Sequence, residues 1–358
     1  MPIPFLLGAL AVGAGLFGIA TACDASEKNS RARELLDNAQ YNYNEAKQQM
    51  EQTREMVSHK LEILGECKVK VWSNNIGGFL STFKKFKNVK IENHVNIDRD
   101  DVIKQIDITE LQNMEVAAMK AKEIMTAGIG ALGAGALAGI AAYGGVMMFA
   151  SASTGTAITA LSGVAATNAA LAWLGGGTLA AGGLGVAGGA AVLGGVVLAP
   201  LLAVGGLFAS VKADENLAKA QRDAAKANEA TEKMRTMSMF LNNISEIAGN
   251  YTTFIERFSD ECTKACIDMQ NVYEEAYEKQ KNYFFNRIRS FFGMEIKIDF
   301  DELDEKEQRV LHLNWQMIQI LYGVLKAPIL TQNGNIHDNA VTTIESARDA
   351  VALLPSMP

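Results

Sequence analysis

Proline is scarce, 6 residues in a chain of 358, and this excludes a collagen-like or proline-rich disordered protein while leaving room for long uninterrupted helices. Cysteine is scarce too. Cys23, Cys67, Cys262 and Cys266 are too few and too scattered for the disulfide framework of a small secreted domain, so a reducing compartment is expected. A structural zinc site takes about four ligands. Cys262 and Cys266, four apart on one helix face, have no partners for one, because His59, His94, His312 and His337 are dispersed. They are expected as ordinary buried or half-buried thiols. An excess of basic charge is also missing: the net charge of -7 gives no footprint for nucleic acid. No nucleophile, base and oxyanion pattern emerges, so the expectation is a protein that is not an enzyme and carries no cofactor.

The most telling absence is local. From Ile124 to Val211 there are 88 residues without Asp, Glu, Lys, Arg or His, bordered by Lys120, Lys122 and Glu123 before and by Lys212, Asp214 and Glu215 after. At roughly 20 residues per crossing this stretch could supply up to four membrane spans, with bends at Gly144 and Gly145 and at Gly175, Gly176 and Gly177. It has no lysine that could reach a phosphate and no GxxxxGK loop, which excludes nucleotide binding. Small residues recur here at spacing four, in two rows: Ala127, Ala131, Gly135, Gly139, and Gly177, Ala181, Gly185, Gly189. Apolar packing gains nothing over lipid, so such rows act by letting helix backbones approach closely; they read as glycine zippers and imply a homo-oligomer. Asn168 and the surrounding Ser and Thr residues can bond a neighbouring helix or line a wet path, and Tyr143 and Trp173 suit interface levels. Glycine is a poor helix former, so the spans are marginal and could be hidden before insertion.

A second uncharged run of 20, Ile3 to Ala22, has the length of a membrane helix but no basic residue before it, which favours an uncleaved anchor over a signal peptide. Ala20, Thr21, Ala22 and Cys23 offer an alternative, a lipobox with Cys23 lipidated. Lys28, Arg31 and Arg33 follow closely and place the downstream chain in the cytoplasm.

What remains is polar and helical. Ser26 to about Val71 reads as one long helix, with Leu36, Tyr43, Met50, Val57, Leu64 and Val71 recurring every seven residues and Ala39 and Ala46 between them. Thr53 and Lys60 break the second half of the heptad, which favours packing on helices of the same chain. Lys84, Lys85, Lys87 and Lys90 form a basic patch with Phe86 that suits anionic headgroups, or else a solvated helix face. Val89 to Ile97 alternates enough for a short strand. Ala213 to Phe292 is a second arm whose stripe of Leu241, Ile244, Ile247, Tyr251, Phe254 and Phe258 is expected to pack antiparallel on the first. A helix from about Glu302 to Lys326 should stop before Pro328, and another near Val341 to Leu353 closes the chain.

The apolar start MPIPFLLGALAVGAG, the segment KVKVWSNNIGGFLSTFKKFKNV, the centre ASTGTAITALSGVAATNAALAWLGGG with GGLGVAGGAAVLGG, and the late LKAPILTQNG together resemble bacterial glycine-zipper membrane proteins, some of them labelled chemotaxis proteins. The resemblance spans nearly the whole chain and implies no catalytic residues. The expected architecture is all-α: anchor 1–23, first arm 24–123, glycine-zipper membrane domain 124–211, second arm 212–295 and C-terminal helical segment 296–358. The expected function is that of a bacterial inner-membrane protein with cytoplasmic arms, whose core oligomerises in the bilayer and forms or gates a pore, as a toxin-like or defence effector would. The alternative is a membrane-anchored scaffold or sensor whose arms bind a cytoplasmic protein.

Overall fold

The computed structural model describes residues 22–89, 106, 108–132, 134–144, 217–281, 296–331 and 335–355. The expected anchor up to Thr21 and most of the glycine-rich segment, including Gly177, Ala181, Gly185 and Gly189, lie outside these residues, as does the proposed strand beyond Val89. The described chain is predominantly helical. Helix α1 runs from Ala22 to Val71, passes through a π-helical turn, Trp72–Ile76, and continues as α2, Gly77–Phe83. Then come β1 (Phe86–Lys87), α3 (Ile108–Ala127), a 3-10 turn (Ile129–Leu132) and α4 (Ala134–Tyr143). Helix α5 spans Leu217–Lys281, followed by β2 (Ile298–Asp299), α6 (Glu305–Lys326) and α7 (Ala340–Ala352). Among the described residues no helix is long and apolar enough to cross a membrane.

The chain divides into two compact units. One contains residues 1–46 and 200–232, the other 47–199 and 233–358, so α1 and α5 each contribute to both. In the first unit Ala32 and Leu36 of α1 pack with Ala220 of α5. The second holds the main core.

Every residue of the α1 heptad row is buried, from Leu36 through Val71. On α5 a matching row of nine, Ala220, Ala227, Met234, Leu241, Ala248, Ile255, Cys262, Met269 and Ala276, is buried at the same spacing. Beyond Val71 the α1 row skips one place: Phe79 and Phe86 are buried, while Gly78, seven after Val71, is half-exposed. The π-helical turn absorbs that one extra residue, so the apolar face stays turned to the core. Its wider turn also presents Asn75, whose Nδ2 donates to the Ser259 carbonyl at 2.7 Å and to Thr263 Oγ1 at 2.9 Å.

Within the second unit the two arms run parallel, and this corrects the antiparallel pairing expected from sequence. Partners rise together along both helices: Lys60 lies beside Gly249, Asn75 bonds Ser259, Thr82 donates to Gln270 at 2.9 Å, and Phe86 meets Tyr273 edge-on. A heptad stripe is blind to direction. The actual connection runs back first. Helix α3 is antiparallel to α1 and α2, with Lys84 paired to Glu115 and Ala118 beside Gly77. Helix α6 is antiparallel to both arms: Trp315 packs on Phe79 and Phe83, Tyr322 on Trp72, and Asn314 Nδ2 donates to Ala265 O at 2.8 Å. It begins just inside the expected bounds with a capping box, in which Asp304 accepts from the Lys306 and Glu307 N–H groups while Glu307 accepts from the Asp304 N–H. Those bonds, the one from Glu307 N–H first, hold the Asp304 carboxyl below its ordinary range. Strands β1 and β2 form a two-residue parallel ladder, Phe86 opposite Ile298.

Candidate functional site

Glycine spacing defines where α4 can sit. A Cβ added to Gly65 of α1 would lie 2.6 Å from the Leu137 carbonyl carbon, and one added to Gly144 would lie 2.8 Å from the Lys326 carbonyl carbon. These two positions need glycine, and Gly144 also has φ +64. Helix α4 is thereby seated backbone to backbone on α1 and on the end of α6. Leu137, Ala138, Ile140, Ala141 and Ala142 are all buried there.

The charge at this seat comes from Lys68, which is 0% exposed. Its Nζ donates to Ala141 O in the last turn of α4 and to Ala327 O at the end of α6, each at 3.3 Å. It also lies 5.5 Å from the centre of the Tyr251 ring. The last carbonyls of a helix have no intrahelical partner and carry the negative end of its dipole, so one ammonium satisfies two helix ends at once. The neighbouring Ala142 O accepts from Ile329 N at 2.7 Å and Leu330 N at 3.0 Å. Among the described residues no carboxylate forms an ion pair with Lys68. Burial therefore pulls its pKa down to about 7, opposed only by Cys67.

The surroundings are aromatic and neutral. Burial pushes the Cys67 thiol up to about 12, with Glu256 adding to it, and the Tyr251 hydroxyl also to about 12. Tyr251 has Thr343 of α7 beside it but its hydroxyl makes no hydrogen bond of normal geometry, and the Thr343 hydroxyl donates to Asn339 O at 2.6 Å. The Trp72 indole N–H is likewise buried without an acceptor. Removing a buried, unpaired hydroxyl relieves its desolvation. Tyr251→Phe is expected to stabilise the fold by about 1 kcal/mol, read as a higher midpoint in urea unfolding, with no change in helix content.

The first small-residue row does not form one ridge. Ala127 ends α3, Gly128 follows at φ +92, Ala131 lies in the 3-10 turn, and Gly135 and Gly139 fall on α4. A glycine in the left-handed region just past a helix end is a stop signal, and here it divides the row among three elements. Of the basic patch, Lys84 pairs with Glu115, Lys85 lies 4.6 Å over the Tyr273 ring, and Lys87 reaches Asp299 at 3.1 Å, while Lys90 lies outside the described residues. Lys87 holds the Asp299 carboxyl below its ordinary range. Cys67 and Cys262 are buried and Cys266 half-buried, and among the described residues no cluster of His, Cys, Asp and Glu is arranged to hold a metal.

Sequence reasoning passed over Lys68, yet the signal was present. It stands four residues after Leu64 and three before Val71, on the apolar face, whereas Lys70 stands opposite and is exposed. No family model matches the chain, and no curated protein or solved structure is similar enough to match it.

Proposed function

We propose that the protein is a membrane-attached helical protein, resembling the bacterial glycine-zipper group, whose uncharged segment oligomerises in the bilayer and forms a pore, with the arms in the cytoplasm. The observation that carries this reading is where the uncharged stretches join the arms. The run 3–22 leads straight into α1, the run 124–211 ends six residues before α5, and the first parts of both helices pack together through Ala32, Leu36 and Ala220. Two stretches suited to lipid thus feed one compact unit. Helix α4 takes the beginning of the central run into the core of the other unit. The 67 residues from Gly145 to Val211 remain, enough for roughly two crossings with their connections, an even number that returns the chain to the side of the arms.

The second zipper, Gly177, Ala181, Gly185 and Gly189, is then the oligomerising face. Purified full-length protein is expected to release dye from liposomes, and Gly185→Leu with Gly189→Leu to cut that release about tenfold or more, since a loss of 1.4 kcal/mol in association is tenfold. Gly135 and Gly139 are unsuitable for this test because they belong to α4, outside the segment proposed to insert. Equal release from wild type and variant would overturn the zipper pore. An absence of release from both would favour the alternative, a membrane-anchored scaffold binding a cytoplasmic protein. That reading is supported by Met56 and Ile63, which share one heptad position on α1 and are exposed at 49% and 40%.

A further inference from the structure

We propose that Lys68 is the latch that keeps α4, the first helix of the uncharged run, seated in the core, and that undocking of α4 is the regulated step of the membrane activity proposed above, on which the second half of this inference rests. The latch is built from three chain segments. Lys68 of α1 ties Ala141 O to Ala327 O, each at 3.3 Å, and the backbone of Ile329 and Leu330 ties Ala142 O. Gly65 and Gly144 allow the backbone contacts that bring these carbonyls within reach. Helix α4 itself contributes no charged group, and its 10 residues are too few to be stable alone. Once its end carbonyls lose their donors, nothing within it favours the docked position over an apolar environment.

A latch made of one unpaired ammonium is sensitive to protonation, because docking buries the charge and undocking returns it to water. The groups placed against Lys68 are Cys67 on α1 and the Tyr251 ring on α5, with Glu256 acting on Cys67 and Thr343 of α7 beside Tyr251, while the charge of α6 nearest this end, Lys326, is half exposed and paired to Glu110 of α3. Cys67 and Tyr251, both pushed up to about 12, stay neutral well beyond pH 9. The docked lysine titrates near 7 and the released one near its ordinary 10.5. Released α4 therefore leaves the protein binding more protons between those values, so docking strengthens as pH rises from about 7 towards 10.5 and is independent of pH below 7. Neutral pH lies at the weak end of this range, where the latch is easiest to open.

The test follows amide hydrogen exchange of Leu137 to Gly144 in the full-length protein, corrected for intrinsic rates, from pH 6 to 9, alongside liposome dye release. In wild type the protection of α4 is expected to rise about tenfold per pH unit above 7 and to level off below it. Lys68→Met, which keeps the stem but leaves both carbonyls without their donor, and Lys68→Arg, whose guanidinium stays protonated, should both abolish the slope, each with protection below that of wild type at pH 9, where the neutral lysine amine still donates. A flat wild-type profile overturns the latch even if neither variant folds, and so does a slope that survives in either variant. Protection that follows Lys68 while dye release ignores both pH and Lys68 leaves the latch standing and overturns its link to the pore. Dye release that falls as α4 protection rises supports both.

Discussion

Gly65→Ala is expected to expel α4 from the core. On an open helix face this exchange would stabilise by about 1 kcal/mol, because alanine is the better helix former. At Gly65 the new methyl would stand 2.6 Å from the Leu137 carbonyl carbon and 2.9 Å from its Cα. Those atoms are helix backbone, which cannot rotate aside as a side chain does. Overpacking of this kind costs about 1–3 kcal/mol, and more when backbone must move, so the steric term outweighs the propensity gain. The expected net loss is about 2 kcal/mol or more, accompanied by faster amide exchange in α4. Gly78→Ala supplies the control on the same continuous helix: nothing lies within 4 Å of its added Cβ, so that variant should be neutral or slightly more stable. Urea unfolding of the two variants against wild type decides it. Equal midpoints for both would mean that α4 does not rest on α1 through Gly65.

Residues on regular apolar periods were legible in the sequence, and residues that depend on direction or on a break in period were not. The α1 row from Leu36 to Val71 and the stripe from Leu241 to Phe258 announce buried helix faces, and all of their members are buried. The bounds of α6 and α7 were legible because Pro328 and the turn around Asn335 punctuate the chain. The parallel sense of the arms was not, since a stripe of apolar residues serves either direction and the decisive contacts, such as Asn75 with Ser259, lie 184 positions apart. The first glycine row was misleading for a related reason. Spacing four describes a ridge only while the helix continues, and Gly128 at φ +92 ends it. Composition also hid a division of the uncharged run: α4 is rich in alanine and glycine as its continuation is, yet Leu137, Ala138, Ile140, Ala141 and Ala142 sit in a core with Trp72, Tyr251 and Tyr322. What distinguishes α4 is the partner side, Gly65 and Lys68, which lies far upstream in sequence. The basic patch was legible as charge but not as surface, because Glu115, Tyr273 and Asp299 that engage it come from three other elements.

Deleting Asn74 should leave the fold nearly intact, whereas deleting Glu62 should abolish it. A residue removed from a regular α-helix rotates everything beyond it by about 100° relative to everything before, given 3.6 residues per turn. Loss of Glu62 would therefore turn Leu64, Lys68, Val71 and Trp72 away from the core, four side chains that are now buried. Each large buried apolar side chain lost is worth about 2 kcal/mol or more, and a domain has only about 5–15 kcal/mol in all. The π-helical turn changes this outcome at Asn74, which is itself exposed. Without it, Phe79 becomes the seventh residue after Val71 and Phe86 the seventh after that, so the row from Leu36 onward gains an unbroken heptad. The wide turn closes to an ordinary α-turn while Phe79, Phe83 and Phe86 keep their inward face. The cost falls on Asn75, whose bonds to Ser259 O and Thr263 Oγ1 need the wider turn, and losing those two is worth about 1–3 kcal/mol. Circular dichroism and urea unfolding of the two deletions should give a folded, modestly weakened protein for Asn74 and no cooperative transition for Glu62. Equal damage from both would show that Trp72–Ile76 is an obligatory bend and not an accommodated insertion, and the parallel arms would then owe their register to that bend.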